Sequence, residues 1–208
     1  MGYISKVISN VLSERLKIVI DSVISPEQTT YVKGRNILDG PLIVNEIITW
    51  TKSSKRGIFL LKVDFDKAFD NLNWAILLSV LEQMGFGKAW IGWVKGIIST
   101  ACVSVLVNGS PTVQFSLEKG VQQGDPFSPY LFILAIEGLI AALKEAGNKG
   151  LVKGIQLPNE GPKIVSLHFA DDAFFLGGWD EQNICNLMKV LRCFHQASGL
   201  KVNWGKTR

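Results

Sequence analysis

Residues 163–178 read KIVSLHFADDAFFLGG, in which two apolar arms enclose the adjacent acids Asp171 and Asp172. Apolar runs on both sides of a short polar centre predict two antiparallel strands joined by a hairpin turn. Aspartate is common in turns, so an Asp-Asp pair at a hairpin tip is ordinarily just the turn itself. Here the flanking residues are large and apolar, where turns are usually polar, which keeps a functional site open as the alternative.

A second short apolar run also ends in acids. Residues 57–66 read GIFLLKVDFD, which predicts a buried strand with Asp64 and Asp66 at its carboxyl end. If this strand shares a sheet with the hairpin, the carboxylates of Asp64, Asp171 and Asp172 converge at one rim. Repulsion and desolvation would disfavour their ionisation, and no Lys or Arg adjoins Asp171 or Asp172 in sequence. Two Mg²⁺ ions about 3.5–4 Å apart would resolve this conflict and would suit phosphoryl transfer.

The remaining segments predict helices and one further hairpin. Ser128 and Pro129 predict a helix start, with serine as the N-cap and proline at the first helical position. Residues 102–117 predict a hairpin around the turn sequence Asn-Gly-Ser-Pro, which explains the uncharged stretch 96–117 better than a membrane span. Apolar residues at helical spacing predict further helices over residues 4–24, 37–52, 71–84 and 181–197.

Composition limits the class of protein only loosely. The chain has 208 residues, of which 47% are hydrophobic and 19% charged, so it is globular and large enough for one large domain or two small ones. A formal charge of +4 permits a polyanionic partner without requiring one. The three scattered cysteines favour free thiols in a reducing compartment over a disulfide framework or a zinc site. The N-terminus is amphipathic and does not resemble a signal peptide.

Six segments follow one another along the chain in a familiar order. They are ISKVISNVLSERLK (4–17), QTTYVKGRNI (28–37), KVDFDKAFDNLNW (62–74), GVQQGDPFSPYLF (120–132), LHFADDAFFL (167–176) and SGLKVNWGKTR (198–208). In amino-acid sequence, order and spacing they resemble the motifs of reverse transcriptases, in the form found in non-LTR (LINE-type) retrotransposons and group II intron enzymes. The amino-acid sequence of these segments looks closest to that of plant LINE-type elements.

The resemblance implies a fold and an activity. The fold would be α+β, with the fingers and palm of a right-hand polymerase and an antiparallel catalytic hairpin. The fingers would span about 1–57 and 97–122 and the palm about 58–96 and 123–208, with the thumb absent from residues 1–208. The activity would be RNA-directed DNA polymerisation, in which a primer 3′-hydroxyl attacks a deoxynucleoside triphosphate. The partners would be an RNA template, a DNA primer and dNTP, with no membrane, and the cofactor would be two Mg²⁺ ions, for which Mn²⁺ substitutes.

The resemblance also assigns catalytic and metal-binding roles. Asp64 and Asp171 would each bind metal, and Asp172 would be the weaker ligand near the primer end. Phe65 would contribute its backbone carbonyl. Lys206 would protonate the pyrophosphate leaving group, unless it is simply frayed close to the end of the chain.

Nucleotide-binding roles follow in the same way. Phe69 would be the gate against a ribose 2′-hydroxyl, with a core aromatic of the following helix as the alternative. Gln123 and Gly124 would shape a loop that touches the incoming nucleotide and the template. Lys33 and Arg35 would contact the triphosphate, because guanidinium and ammonium groups suit phosphate oxygens. Taken alone, two basic loop residues are more often merely solvated.

Departures from the family pattern leave alternatives open. Lys33 stands where proline is usual, Gln122 where arginine is usual, and Gly205 where serine is more common. Together with the missing thumb, they allow an inactive retroelement remnant that at most binds nucleic acid. Another palm enzyme is disfavoured by the QG loop and Phe69, and intron maturase activity would need a downstream RNA-binding segment. Kinship suggests the nucleus or the cytoplasm and not secretion; oligomeric state is not indicated.

Overall fold

The computed structural model describes residues 3–32, 34–36, 39–158, 161–169 and 172–207. The helices are α1 (Tyr3–Val23), α2 (Asp39–Ser53), α3 (Ala68–Asn71), α4 (Trp74–Gln83), α5 (Lys88–Ser99), α6 (Ser128–Asn148) and α7 (Glu181–Ser198). The strands are β1 (Ile58–Asp64), β2 (Cys102–Val103), β3 (Leu106–Val107), β4 (Ser110–Pro111), β5 (Phe115–Ser116), β6 (Ile155–Gln156), β7 (Lys163–Ile164), β8 (Ser166–Phe169) and β9 (Asp172–Gly178). Within these ranges no helix has the length and apolarity needed to cross a membrane.

The central sheet is antiparallel, with strand order β1-β9-β8. It joins the two predicted strand regions, because β1 pairs with β9 along its whole length, from Ile58 opposite Gly178 to Asp64 opposite Asp172. Strands β8 and β9 pair from Ser166 to the end of β8, which confirms the predicted hairpin. The end of β1 therefore lies beside the tip of the hairpin.

The two faces of the sheet are buried in different cores. Phe59 and Val63 on one face of β1 belong to the larger core, which also contains α4, α6 and α7. Leu60 and Leu176 on the other face pack with Ile47 of α2 in a smaller core. Burial on both sides explains why β1 reads as a continuous apolar run and not as an alternating one.

Helix α6 is the centre of the larger core. Four consecutive residues, Ile133 to Ile136, are at most 1% exposed, so the N-terminal half of the helix is buried on every side. The prediction of Ser128 as its N-cap is wrong by one position, because the cap is Phe127 and Ser128 is the first helical residue. The acceptor at this helix end is Oδ2 of Asp125, to which the backbone N–H of Phe127 donates at 3.2 Å.

Other predicted elements hold with local differences. The helix expected over 71–84 is α4, which begins at Trp74 because Asn73 caps it and accepts a hydrogen bond from the Ala75 N–H at 2.8 Å. The predicted hairpin over 102–117 forms two short strand pairs, β2 with β5 and β3 with β4. Helix α1 buries two serines, Ser9 and Ser13, beside Leu12, Leu16 and Ile20, while several other apolar residues of the predicted helix are exposed.

Helix α2 rests directly on the β8–β9 hairpin. Its backbone at Gly40 approaches the ring of Phe169 so closely that a Cβ atom at position 40 would overlap the ring. The ring itself is 8% exposed and belongs to the smaller core. Glycine is therefore required at position 40 for close packing of a helix on a side chain.

The segment that follows α1 runs along the outer edge of β8. Gln28 pairs with His168 in a parallel bridge, the backbone N–H of His168 donates to the Glu27 carbonyl, and that of Thr29 donates to the His168 carbonyl. The His168 side chain is 1% exposed, and burial lowers its pKa to about 3. Its Nε2 lies 3.1 Å from Oγ of Ser166, so a neutral imidazole is held inside the sheet edge.

Candidate active site

Asp64 and Asp172 lie directly opposite each other at one rim of the sheet. Asp64 is the last residue of β1, Asp172 is the first residue of β9, and the two are partners in the antiparallel register. Directly paired residues of neighbouring strands place their side chains on the same face. Two of the three predicted carboxylates are thus brought together, while Asp171 lies outside the described residues. Within the part of the chain that the structure describes, no group of three His, Cys, Asp or Glu residues could hold a metal ion.

Each of these two carboxylates is paired with a lysine. Lys62 Nζ lies 2.8 Å from Oδ2 of Asp172, and Lys206 Nζ lies 3.3 Å from Oδ2 of Asp64. No Lys or Arg adjoins Asp172 in sequence, and its partner Lys62 instead comes from a position on the neighbouring strand. The side chains of Lys62 and Asp172 are 41% and 38% exposed. Such solvent-exposed pairs contribute about 0–1 kcal/mol each.

The last residues of the chain are anchored to β1. The backbone N–H of Asp66 donates to the Lys201 carbonyl, and the N–H of Asn203 donates to the Asp64 carbonyl, both at 2.8 Å. The Asn203 carbonyl then accepts from the N–H groups of Lys206 and Thr207, at 3.1 and 3.0 Å. Lys206 is thus held in a hydrogen-bonded turn beside the carboxylate, so the alternative that it is frayed does not fit the structure.

A cavity of about 610 Å³ opens beside Asp64. Its walls gather predicted site residues from β1, α3, the loop before α6 and the C-terminal turn, namely Asp64, Phe65, Phe69, Gln123, Gly124 and Lys206. Lys67 and Asp125, which the sequence did not single out, line it too. Lys67 adopts a left-handed backbone with φ of 46° immediately before α3.

Phe69 lies between the hydrophobic core and the cavity beside Asp64. Its ring stacks on Phe132 of α6, with ring centroids 5.2 Å apart, and packs against the larger core. The same side chain lines the cavity beside Asp64. A ring fixed on one side by the core and exposed on the other to the cavity has the rigidity that a steric gate requires.

The loop with Gln123 and Gly124 is fastened to α3. The N–H groups of Gly120 and Val121 donate to carbonyls at the end of α3, at 2.8 and 2.7 Å. Gly124 has φ of 79°, in the left-handed region that favours glycine. The side-chain amide of Gln123 donates to Oδ1 of Asp70 at 3.3 Å. The loop is thereby held at the cavity wall by hydrogen bonds on both sides.

Arg35 is not at this cavity. Its Nη1 donates to the carbonyls of Ser25 and Gln28, both at 2.7 Å, and its Nη2 donates to Asp21 Oδ1 at 2.9 Å and to the Ile24 carbonyl. The guanidinium therefore binds carbonyls of the segment that follows α1, and its bond to Asp21 ties that segment to the last turns of the helix. These contacts hold the guanidinium of Arg35 away from this cavity, and its expected contact with a triphosphate remains an untested prediction. Lys33, its predicted partner in that role, lies outside the described residues.

A second cavity of about 470 Å³ lies beside the first. It is lined by Lys62, Asp64, Asp172, Gly205 and Lys206. Asp64 and Lys206 line both cavities and form the wall between them. Lys62 was missed by sequence analysis, although its position two residues before Asp64 puts both side chains on one face of a strand.

Comparison with known proteins assigns the family. The whole chain, residues 1–208, matches the family model described as "Reverse transcriptase (RNA-dependent DNA polymerase)". The chain belongs to the reverse transcriptase family. Reverse transcriptases generally use divalent metal ions, which agrees with carboxylates meeting at the rim of the sheet.

Relatives of this reverse transcriptase chain include proteins of non-LTR retrotransposons. It is 28% identical over 205 residues to the transposon TX1 uncharacterized 149 kDa protein of Xenopus laevis, covering 97% of this chain and 15% of that protein. It is 25% identical to the Pol polyprotein of the type-1 retrotransposable element R2 of Popillia japonica, covering 98% and 28%. The chain thus spans 15% and 28% of the length of these two curated relatives.

Solved structures confirm the fold of the reverse transcriptase domain. The telomerase of Candida albicans in complex with a fragment of telomeric RNA matches with a TM-score of 0.63 and 14% identity, covering 97% of this chain and 34% of that one. The apo telomerase of Candida tropicalis matches with the same score and 15% identity, covering 98% and 36%. The α+β fold predicted from the sequence, with its antiparallel catalytic hairpin, is confirmed.

Proposed function

We propose that this reverse transcriptase domain extends a DNA primer on an RNA template by adding deoxynucleotides. The observation that carries the proposal is the direct opposition of Asp64 and Asp172 at the rim of the sheet, beside a cavity that also holds Phe69, Gln123 and Gly124. Carboxylates beside a cavity of this size suit a triphosphate with its metal ions. The telomerase with bound telomeric RNA supports an RNA template for a chain of this fold.

The donor set fits a divalent cation. Asp64 and Asp172 offer carboxylate oxygens, the preferred ligands of Mg²⁺, and their lysine partners are exposed enough to give way. Two Mg²⁺ ions, with Mn²⁺ as a substitute, would be held by Asp64, Asp171, Asp172 and the backbone carbonyl of Phe65. When bound, such ions stabilise negative charge on the attacking and leaving oxygens.

The chain's own residues position the reactants. The primer 3′-hydroxyl gives up its proton to solvent, its oxygen forms a bond to the α-phosphorus, the bond from that phosphorus to its bridging oxygen breaks, and pyrophosphate leaves. Lys206 gives a proton to the leaving pyrophosphate, while Phe69 excludes a 2′-hydroxyl. Gln123 and Gly124 shape the nucleotide site. Lys67 lines the cavity and supplies a basic side chain there, whereas Arg35 does not line it. Lys33 remains a candidate contact for the triphosphate.

Primer extension on poly(rA)/oligo(dT) with Mg²⁺ or Mn²⁺ tests the proposal. Asp64→Asn and Asp171→Ala should each reduce extension by at least roughly 100-fold, because metal-bound carboxylates supply several kcal/mol of transition-state stabilisation. Glu82→Gln, an exposed carboxylate on α4, is the matched control and should extend like the wild type. Equal extension by the wild type and Asp64→Asn would refute polymerase activity and leave a remnant that at most binds nucleic acid.

A further inference from the structure

Two lysines border the catalytic carboxylates, but they face different spaces. Lys206 lines both cavities, whereas Lys62 lines only the second one, with Asp172. The first cavity holds the residues proposed to bind the nucleotide. We propose that Lys62 binds a backbone phosphate of the primer strand next to its 3′ end, exchanging Asp172 for that phosphate. This inference rests on the proposed polymerase function and extends it to the primer.

The placement of Lys62 on the sheet directs its ammonium into the second cavity. Lys62 and Asp64 share one face of β1, and Lys62 is paired across the ladder with Phe174. Its Nζ lies 5.9 Å from the centre of the Phe174 ring and 2.8 Å from Oδ2 of Asp172 on the diagonal. The ring supports the side chain, so the ammonium is held beside the hairpin that would carry the primer end.

Charge balance in the second cavity explains why Lys62 would exchange Asp172 for a phosphate. Among the described residues, the second cavity is lined by two carboxylates and two ammonium groups, whose charges balance. Divalent cations bound at Asp64 and Asp172 would neutralise these carboxylates and repel both ammonium groups. The cavity would then carry excess positive charge, and the phosphodiester of a primer strand is an anion that restores the balance. Lysine suits this role because its ammonium binds phosphate as a point charge.

The half-exposed position of Lys62 allows that exchange. Its side chain is 41% exposed, so the ammonium is accessible to a strand that enters from solvent. Lys62 is absent from the lining of the nucleotide cavity among the described residues, so its loss should affect the primer and not the dNTP. A residue that only held Asp172 in place would instead affect turnover without changing the affinity for the primer.

Fluorescence anisotropy of a labelled RNA template annealed to a DNA primer tests this assignment. Binding is measured in Ca²⁺ or in EDTA, between about 50 and about 300 mM KCl, for the wild type, Lys62→Met and Lys62→Gln. Both variants should bind several-fold more weakly in Ca²⁺, and their log–log salt slope should be smaller by about one. The effect should shrink in EDTA, because Lys62 then remains paired with Asp172. Lys62→Arg should restore most of the affinity, and Lys189→Met on α7 should match the wild type.

The outcomes separate this inference from the polymerase proposal. Identical affinities and salt slopes for Lys62→Met and Lys189→Met would overturn the role of Lys62, even if the wild type extends primers normally. A fall in kcat with unchanged primer affinity would also overturn it and leave Lys62 as a positioning residue for Asp172. Lack of extension by the wild type would refute the polymerase proposal, while the anisotropy would still report on the lysine.

Discussion

The ammonium of Lys206 lies 3.3 Å from Oδ2 of Asp64, although one residue belongs to the first strand of the sheet and the other to the last turn of the described chain. The backbone pairing of Asn203 with Asp64 brings them together. If Asp64 binds metal as proposed, this cation lies where the triphosphate would be cleaved.

Lys206→Met should lower kcat for single-nucleotide incorporation by roughly 100-fold, because general-acid catalysis of the departure of pyrophosphate would be lost. Rapid-quench measurements of one incorporation event give kcat and the KM for dNTP separately. Lys201→Met, an exposed lysine in the same segment, is the control and should incorporate at the wild-type rate. Wild-type kcat in Lys206→Met would remove its role as a proton donor.

Phe69→Val should admit ribonucleotides. A smaller side chain leaves room for a 2′-hydroxyl, so the preference for dNTP over rNTP, as a ratio of kcat/KM values, should fall at least roughly 10-fold. Stability should also fall by about 1–3 kcal/mol, because the stacking on Phe132 is lost. Phe86→Leu, another partly buried phenylalanine, serves as the control for the packing effect. Unchanged sugar selectivity would leave Phe69 with a packing role alone.

Arg35→Met should destabilise the fold without affecting nucleotide binding. Its guanidinium satisfies three carbonyls after the end of α1; one hydrogen bond from a charged donor is worth about 1.5–3 kcal/mol, and bonds made by a single group do not add. We expect the free energy of unfolding in urea to fall by about 2–3 kcal/mol, with the KM for dNTP unchanged. Arg192→Met on the exposed face of α7 is the control. A raised KM at unchanged stability would instead restore Arg35 to the triphosphate.

His168 should make the fold sensitive to acid. Its pKa is lowered by burial to about 3, below its unfolded value of about 6.5, so the unfolded chain binds a proton that the folded chain excludes. The contribution of His168 to stability is therefore complete above about pH 6.5 and is lost as the pH falls towards 3. Urea unfolding should show about 2 kcal/mol lost from this residue by pH 5.

Two variants isolate that histidine. His168→Gln should flatten the pH dependence by this amount, while His195→Gln, at the only other histidine in the chain, should keep it. Identical pH dependence in His168→Gln and the wild type would show that folding does not lower the pKa of this imidazole.

The convergence of the site was predictable from local sequence patterns. Apolar arms around the Asp-Asp pair, and an apolar run ending in Asp64, were enough to predict that these acids meet at one rim, which the register of Asp64 and Asp172 bears out for the described residues. The lysine partners could not be predicted in the same way. The contact from Lys62 to Asp172 depends on the register between strands, which the sequence of either strand leaves undetermined.

Tertiary contacts explain the other differences. Periodicity in α1 could not show that the serine-containing side would be buried, because Ser13 donates to the Pro126 carbonyl, which belongs to a distant loop. Helix α5 was not predicted because Gly92 and Gly96 weaken the helical pattern. It forms because Val94 and Ile98 are buried in the core. Arg35 likewise has its role because of where the loop folds back, and not because of its charge.

The contact of Gly40 with Phe169 has a mechanical consequence. The aromatic ring of Phe169 occupies the space that a side chain at position 40 would fill, so α2 and the hairpin are in close van der Waals contact. Turning or sliding α2 must carry along the strand that leads into the acidic tip. Helix α2 contributes none of the side chains proposed to act on the reactants, yet its packing fixes the position of the hairpin and thereby the orientation of the carboxylates. A methyl group added at position 40 would displace the hairpin.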